Sequence, residues 1–246
     1  MQDLEGLLAL VSKGKLSASK ASKLILLNHI SEVENIAKLD INRSLRTGLP
    51  EVILAEGKSI EQLKKIAGSA KGVVLFSRLS EGQAKTLREK FGGTYNDKAR
   101  TLMLGKPKKK NGVVGIITAG TSDIPIAEEA KAMAQATGCQ VISSYDAGVA
   151  GIHRLFPALK AMVGKADALV VVAGREGTLP AIVAGMVDIP VIGLPTSIGY
   201  GYGGKGEAAL KSMLQSCSFI TVVNIDNGIG AGAFAALIAK RTGGKK

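Results

Sequence analysis

Val113-Val114-Gly115-Ile116-Ile117, running into Thr118-Ala119-Gly120-Thr121-Ser122-Asp123, sets the pattern for the second half of this chain. An apolar run of buried-strand length leads into a turn of small and polar residues. The pattern recurs four times. Val141-Ile142 leads into Ser143-Ser144-Tyr145-Asp146-Ala147-Gly148, and Ala168-Leu169-Val170-Val171-Val172 into Ala173-Gly174-Arg175-Glu176-Gly177. Val191-Ile192 leads into Gly193-Leu194-Pro195-Thr196-Ser197, and Ile220-Thr221-Val222-Val223 into Asn224-Ile225-Asp226-Asn227-Gly228. Helical spacing fills the intervals at 124–137, 151–165, 179–187, 207–215 and 231–241. Strand and helix in alternation give an α/β fold with a parallel sheet between two helical layers. Ligands of such sheets sit beyond the carboxyl ends of the strands. The five turns therefore predict one binding crevice, or else they hold Gly and Asp only because turns use them.

Composition agrees with a sheet buried on both faces. Hydrophobic residues make up 46% of the 246 and aromatics only 4%, with no Trp, so the core is aliphatic. Two cysteines, Cys139 and Cys217, do not build a disulfide framework and point to a reducing compartment. No apolar run is long enough for a membrane span, and no secretory leader is evident, so a cytoplasmic location is expected.

The net charge of +12 is uneven: residues 1–110 hold 21 Lys and Arg against 11 Asp and Glu, residues 111–246 hold 11 against 9. A basic half suits an anionic partner, either a phosphate-bearing ligand or nucleic acid. No helix-turn-helix, zinc-finger spacing or aromatic stacking pair supports nucleic acid. The change of charge coincides with Gly105-Lys106-Pro107-Lys108-Lys109-Lys110-Asn111-Gly112, which reads as a linker between domains 1–110 and 111–246. Upstream, a helical leader (4–10 and 18–27) precedes a polar loop at 40–50 carrying Arg43 and Arg46. Strand and helix then alternate at 52–54, 59–67, 73–76, 81–91 and 101–104, giving a smaller α/β unit.

Ser122 or Asp123 caps the helix from 124, with Glu128 and Glu129 following, and such a start beside Gly120 is a ready anion site. The turn is neither a P-loop nor Gly-x-Gly-x-x-Gly, so kinase and ordinary dehydrogenase chemistry have no fingerprint.

Several turns together resemble a known family. Gly120-Thr121-Ser122-Asp123, Gly151-Ile152-His153-Arg154, Gly174-Arg175-Glu176-Gly177-Thr178-Leu179-Pro180 and Pro190-Val191-Ile192-Gly193-Leu194-Pro195 occur in the order found in carboxylases and mutases of aminoimidazole ribonucleotide. The second His of that family is replaced by Glu176-Gly177-Thr178. A basic N-terminal domain is added, as are Cys217-Ser218 and Asn224-Ile225-Asp226-Asn227-Gly228. With Asn42-Arg43 and Arg46-Thr47-Gly48-Leu49-Pro50-Glu51 upstream, the whole chain is similar to the LarB-type branch, the pyridinium-3,5-biscarboxylic acid mononucleotide synthases of nickel-pincer nucleotide biosynthesis. The resemblance implies a flavodoxin-like parallel sheet and a homo-oligomer. It implies carboxylation of nicotinic acid adenine dinucleotide at C5 of the pyridinium ring, with carbon dioxide or bicarbonate as co-substrate. Hydrolysis of the phosphoanhydride releases AMP, and no organic cofactor takes part.

That chemistry assigns roles. A pyridinium carbon is too electron-poor to attack carbon dioxide until a nucleophile adds to the ring, so one soft leaving nucleophile and one base are needed. The resemblance makes Cys217 the nucleophile, since thiolate adds and leaves well. Packing is the other use of a free thiol, and the strand order puts Cys217 at the end of the sheet opposite the crevice. Cys139 is expected to be buried packing. Glu176 is the expected base, partly buried in its Gly-flanked turn, or else a solvated turn carboxylate. His153 is a proton shuttle by resemblance, or a local partner of Asp146. Ser122, Asp123 and Arg154 are expected on phosphate or ribose, with Gly120, Thr121, Asp146, Gly174 and Asn224 lining the crevice. Asp226 and Asn227 are expected to contact substrate or a phosphate-bound Mg²⁺, and Arg43 and Arg46 to reach the adenylate end. Tyr200-Gly201-Tyr202-Gly203-Gly204-Lys205-Gly206 reads as a lid or an oligomer contact. Two other readings are an aminoimidazole ribonucleotide mutase and a dinucleotide-binding module without enzymatic activity.

Overall fold

The computed structural model describes residues 4–27, 30–33, 36–40, 43–107 and 112–242. Residues 108–111 of the expected linker, and Asn42, lie outside them.

The N-terminal elements are α1 (Leu4–Ser12), α2 (Ala18–Leu27), β1 (Ile30–Val33), β2 (Ala37–Asp40), α3 (Arg43–Thr47), β3 (Glu51–Leu54), α4 (Ile60–Ser69), β4 (Val74–Ser77), α5 (Glu81–Phe91), β5 (Thr94–Asn96) and β6 (Thr101–Leu104). Ser59 and Ser80 start α4 and α5 with full capping boxes, each hydroxyl accepting from the backbone of the Gln three residues on. Strands β3, β4, β6 and β5 form a mixed sheet in that order, parallel only between β3 and β4. Two expectations change here. Residues 43–47 of the expected loop are helical: Thr47 Oγ1 donates to the Arg43 carbonyl at 2.8 Å and Arg46 pairs with Asp40, which closes the short α3. The edge strand β5 escapes a reading by hydrophobic pattern because Thr94-Tyr95-Asn96 is polar and only half buried.

The second half supplies β7 (Val113–Thr118), α6 (Ile124–Ala136), β8 (Gln140–Ser144), α7 (Leu155–Met162), β9 (Ala168–Ala173), α8 (Leu179–Ala184), β10 (Val191–Pro195), α9 (Glu207–Leu214), β11 (Thr221–Val222) and α10 (Gly228–Thr242). The five strands pair in parallel in the order β11-β10-β9-β7-β8, the flavodoxin-like order, with the switch of direction between β7 and β9. Alternation along each strand feeds two cores. Val114, Ile116, Val170 and Val172 face α6 and α10, whereas Ile117, Leu169 and Val171 face α7, α8 and α9. The helix expected at 151–165 starts late, because Gly151 (φ −135°, ψ 66°) breaks a preceding 3₁₀ turn and α7 begins only at Leu155.

Helices α6 and α10 pack against each other through small residues. A Cβ on Gly232 would lie 2.2 Å from the Ala130 carbonyl, so this approach requires glycine. Part of their outer surface is covered by the mixed sheet. Ala132, Met133 and Ala136, with Ile229 and Ala233, pack on Leu75, Val52, Val73 and Met103 of the mixed sheet. The two helices are thus shared between both sheets. This is why Glu128 and Glu129 are buried within α6 instead of serving as first-turn charges. Glu128 accepts from Tyr145, Asn96 and Lys131. Burial pushes its carboxyl up, but those three donors prevail and hold it below the usual range.

Candidate active site

Four of the five turns converge beyond the carboxyl ends of their strands on a cavity of about 520 Å³. Ala119, Gly120, Ser122 and Asp123 come from the turn after β7, and Gly148, Val149, Ala150 and Arg154 from the turn after β8. Ala173 ends β9 and Gly174 to Thr178 follow it, and Ile198, Gly199 and Tyr200 follow β10. Gly174 lets two of these turns meet: a Cβ there would lie 2.3 Å from Thr196 Oγ1 and 2.4 Å from the Ile198 carbonyl.

Asp123 anchors the floor. It does not cap α6 with its side chain. Its carboxylate accepts instead from Thr196 Oγ1 at 2.7 Å and from the Gly120 amide at 2.9 Å. Burial raises its pKa, the two hydrogen bonds oppose the rise, and Asp226 adds to it. Thr196, fully buried, was legible in the sequence only as a turn residue. Arg154 lines the wall and donates to Asp146 Oδ2 at 2.6 Å, so Asp146 is the partner of Arg154 and not of His153. Asp146 sits at φ +59°, with its amide donating to Thr118 Oγ1 at 3.1 Å. Arg175 also faces this space, a residue that sequence reading passed over within Gly174-Arg175-Glu176-Gly177.

The fifth turn goes elsewhere. Asn224, Asp226 and Asn227 line a smaller cleft of about 330 Å³ together with Ser77, Arg78 and Glu129, where the two sheets meet. Asp226 (φ +56°) accepts from the Ser197 amide at 2.8 Å and so braces the turn after β10 from behind. Asn227 Oδ1 accepts from the Gly230 amide at 2.8 Å at the start of α10, and Asn224 Oδ1 from the Ile225 amide at 2.9 Å. One side-chain oxygen of each of the three residues is thus engaged by a backbone amide. Among the described residues no three His, Cys, Asp or Glu side chains group as metal ligands. In the cleft, Arg78 approaches Glu129 Oε1 at 3.8 Å and Glu56 Oε2 at 3.6 Å. Burial pushes the Glu129 carboxyl up to about 7 against the pull of Arg78.

Other expected residues stand apart from the cavity. Glu176 lines it but is exposed at the rim, so the expected partial burial is not found. The turn projects it outward while Gly177 packs on Ala209. Thr121 and His153 are exposed on 3₁₀ turns and do not line the cavity. Arg43 and Arg46 pair with Glu51 and Asp40 on and around α3. Lys240 near the end of α10 donates to the Gly48 carbonyl at 3.0 Å, and Gly112 beside Ala239 marks that end of α10 as the amino-end side of the parallel sheet. Both arginines are thus held away from the crevice of their own chain. Cys217 is exposed between α9 and β11 and does not line the cavity. Cys139 is buried, its thiol pushed up to about 11 by burial, as expected of packing. No helix among the described residues is long and apolar enough to cross a membrane.

The carboxyl-end turns of a flavodoxin-like sheet thus supply a buried Asp, an Arg and a glutamate-bearing rim, where the turn motifs lead one to expect a site of the carboxylase or mutase type. Comparison with known proteins agrees. The family profile described as AIR carboxylase matches residues 113–245, and one described as LarB/PurE-like N-terminal domain matches residues 30–117. The chain belongs to the AIR carboxylase family, in the form that carries a LarB/PurE-like N-terminal domain. It is 47% identical to a Methanocaldococcus jannaschii protein named only as uncharacterized, over 97% of this chain and 98% of that one. It is 31% identical to the N5-carboxyaminoimidazole ribonucleotide mutase of the same organism, over 52% of this chain and 76% of the mutase.

Proposed function

We propose that this chain carboxylates nicotinic acid adenine dinucleotide at C5 of the pyridinium ring and hydrolyses its phosphoanhydride. The products are pyridinium-3,5-biscarboxylic acid mononucleotide and AMP. One observation carries the reading: a LarB/PurE-like domain precedes an AIR carboxylase domain on a single chain.

The steps balance without a redox partner. Cys217 thiolate adds to C4, and the ring electrons move onto nitrogen to give a neutral dihydropyridine. Its C5 attacks carbon dioxide as an enamine, leaving an iminium. Glu176 takes the proton from C5 and the enamine returns. Expulsion of the thiolate from C4 then restores the pyridinium. His153, exposed beside Arg154, relays the proton to solvent. Arg154 and the amides near Gly120 hold phosphate, and water cleaves the anhydride.

Cys217 reaches the ring from a second copy. Leu214 and Phe219 beside it are 65% and 101% exposed, an apolar flank that a neighbouring chain covers. The test is intact-protein mass spectrometry. Glu176→Gln mixed with the dinucleotide accumulates an adduct on the peptide holding Cys217, and Cys217→Ser forms none. Near-normal carboxylation by Cys217→Ser refutes the covalent route.

Similarity to the mutase favours a second reading, rearrangement of a carboxylated aminoimidazole ribonucleotide. The turn Gly174-Arg175-Glu176-Gly177-Thr178 argues against it, since the second His of that family's pattern is missing.

A further inference from the structure

Tyr200, 79% exposed, lies at the start of the Gly-rich segment after β10, and it lines the main cavity. It is the one aromatic side chain among the described residues of that lining. Its face already carries a planar cation. The Arg175 guanidinium carbon lies 4.8 Å from the ring centroid, and Arg175 Nη2 donates to the Tyr200 hydroxyl at 2.9 Å. Arg175 comes from the turn after β9, so the stacked pair spans two of the four turns that build the mouth. Gly199 (φ +155°) and Gly201 (φ +82°) flank Tyr200 in conformations that L side chains rarely adopt, leaving the ring on a hinge of two glycines.

An aromatic face that attracts a planar cation, next to a wall carrying Arg154, is complementary to one kind of ligand. That ligand combines a flat cationic ring with anionic groups. We infer that Tyr200 recognises the substrate ring: a cationic heteroaromatic ring takes the place of the Arg175 guanidinium, which is released toward the ligand's anionic groups. This rests on the reading of the substrate as a pyridinium nucleotide. The attraction acts on the charged ring before any nucleophile adds, so it lowers KM and does not raise kcat.

The experiment compares two probes on the full chain by calorimetry. One is nicotinic acid mononucleotide. The other is its isostere with an uncharged 3-carboxyphenyl ring in place of the pyridinium. The wild-type chain binds the charged probe more tightly by roughly five- to thirtyfold. Tyr200→Leu loses this preference while its affinity for the uncharged isostere is unchanged, and Tyr200→Phe retains it. Because the chain contains no Trp, Tyr200→Trp introduces a single indole. Its fluorescence is quenched saturably by the charged probe. A preference that survives in Tyr200→Leu, or a wild-type chain that does not distinguish the probes, overturns the assignment. The two claims fail separately. Charge preference without any carboxylation sinks the functional reading and leaves Tyr200 in its role. Carboxylation with an unchanged preference in Tyr200→Leu does the reverse.

Discussion

Glu129→Gln removes the ionisable group from the cleft where the two sheets meet, and the structure fixes how its effect depends on pH. Glu129 is buried on α6 and faces Arg78 at 3.8 Å, with Asp226 nearby. Its folded pKa is about 7, against an ordinary value of 4.5. A carboxyl raised in the folded state binds a proton more tightly when folded than when unfolded. Below pH 4.5 both states are protonated and Glu129 costs nothing. Between about 4.5 and about 7 only the unfolded chain gains by ionising, so each pH unit destabilises the fold by about 1.4 kcal/mol. The full penalty, about 3 kcal/mol, is present above pH 7. Glutamine keeps the shape and cannot ionise. The assay is urea unfolding of both proteins at pH 4.5, 6, 7 and 8, read as the difference between them so that other titrating groups cancel. The variant matches the wild type at the lowest pH and exceeds it by up to about 3 kcal/mol at pH 8. A difference that stays flat from pH 4.5 to 8, or one in which the wild type is the more stable at pH 8, refutes the argument.

Thr196→Val keeps the volume but takes a donor from the buried Asp123 carboxylate. It should lower stability by about 1.5–3 kcal/mol in the same urea assay, with Asp123 titrating higher than in the wild type. Arg154→Ala should weaken dinucleotide binding by roughly one to two decades in calorimetry while Cys217 stays alkylatable, and unchanged affinity removes Arg154 from phosphate recognition. Cys217→Ser and Glu176→Gln, each inactive alone, should recover roughly a quarter of wild-type activity after mixing and subunit exchange, since a site shared by two chains finds both intact residues about one time in four. No recovery after verified exchange places the thiol and the carboxylate in one chain.

The five strands of the parallel sheet were legible because their runs are apolar and β-branched and their turns carry the glycines that close approach demands. Convergence of four turns followed from that order alone. Diversion of the fifth did not, because it depends on the Asp226 carboxylate meeting the Ser197 amide, a contact between the turns after two different strands. Nor could sequence place Glu128 and Glu129. A helix buried between two sheets looks amphipathic until the second sheet is known to cover its charged face. Arg154 on Asp146 was similarly hidden, since the two meet across the turn after β8, where Asp146 adopts a positive φ. Thr196, behind the cavity, and Arg175 and Tyr200, which line it, were present in the quoted turns but carried no motif. Their roles arise from one another: a hydroxyl on Asp123, and a guanidinium on a ring.

One incubation tests the central claim most directly. The full chain is given nicotinic acid adenine dinucleotide, aminoimidazole ribonucleotide and ¹³C-bicarbonate together, and every product is weighed by mass spectrometry. The account predicts label in a pyridinium mononucleotide with a second ring carboxylate, one AMP for each such molecule, and no labelled aminoimidazole product. Label confined to a carboxylated aminoimidazole ribonucleotide, with the dinucleotide recovered intact, contradicts it.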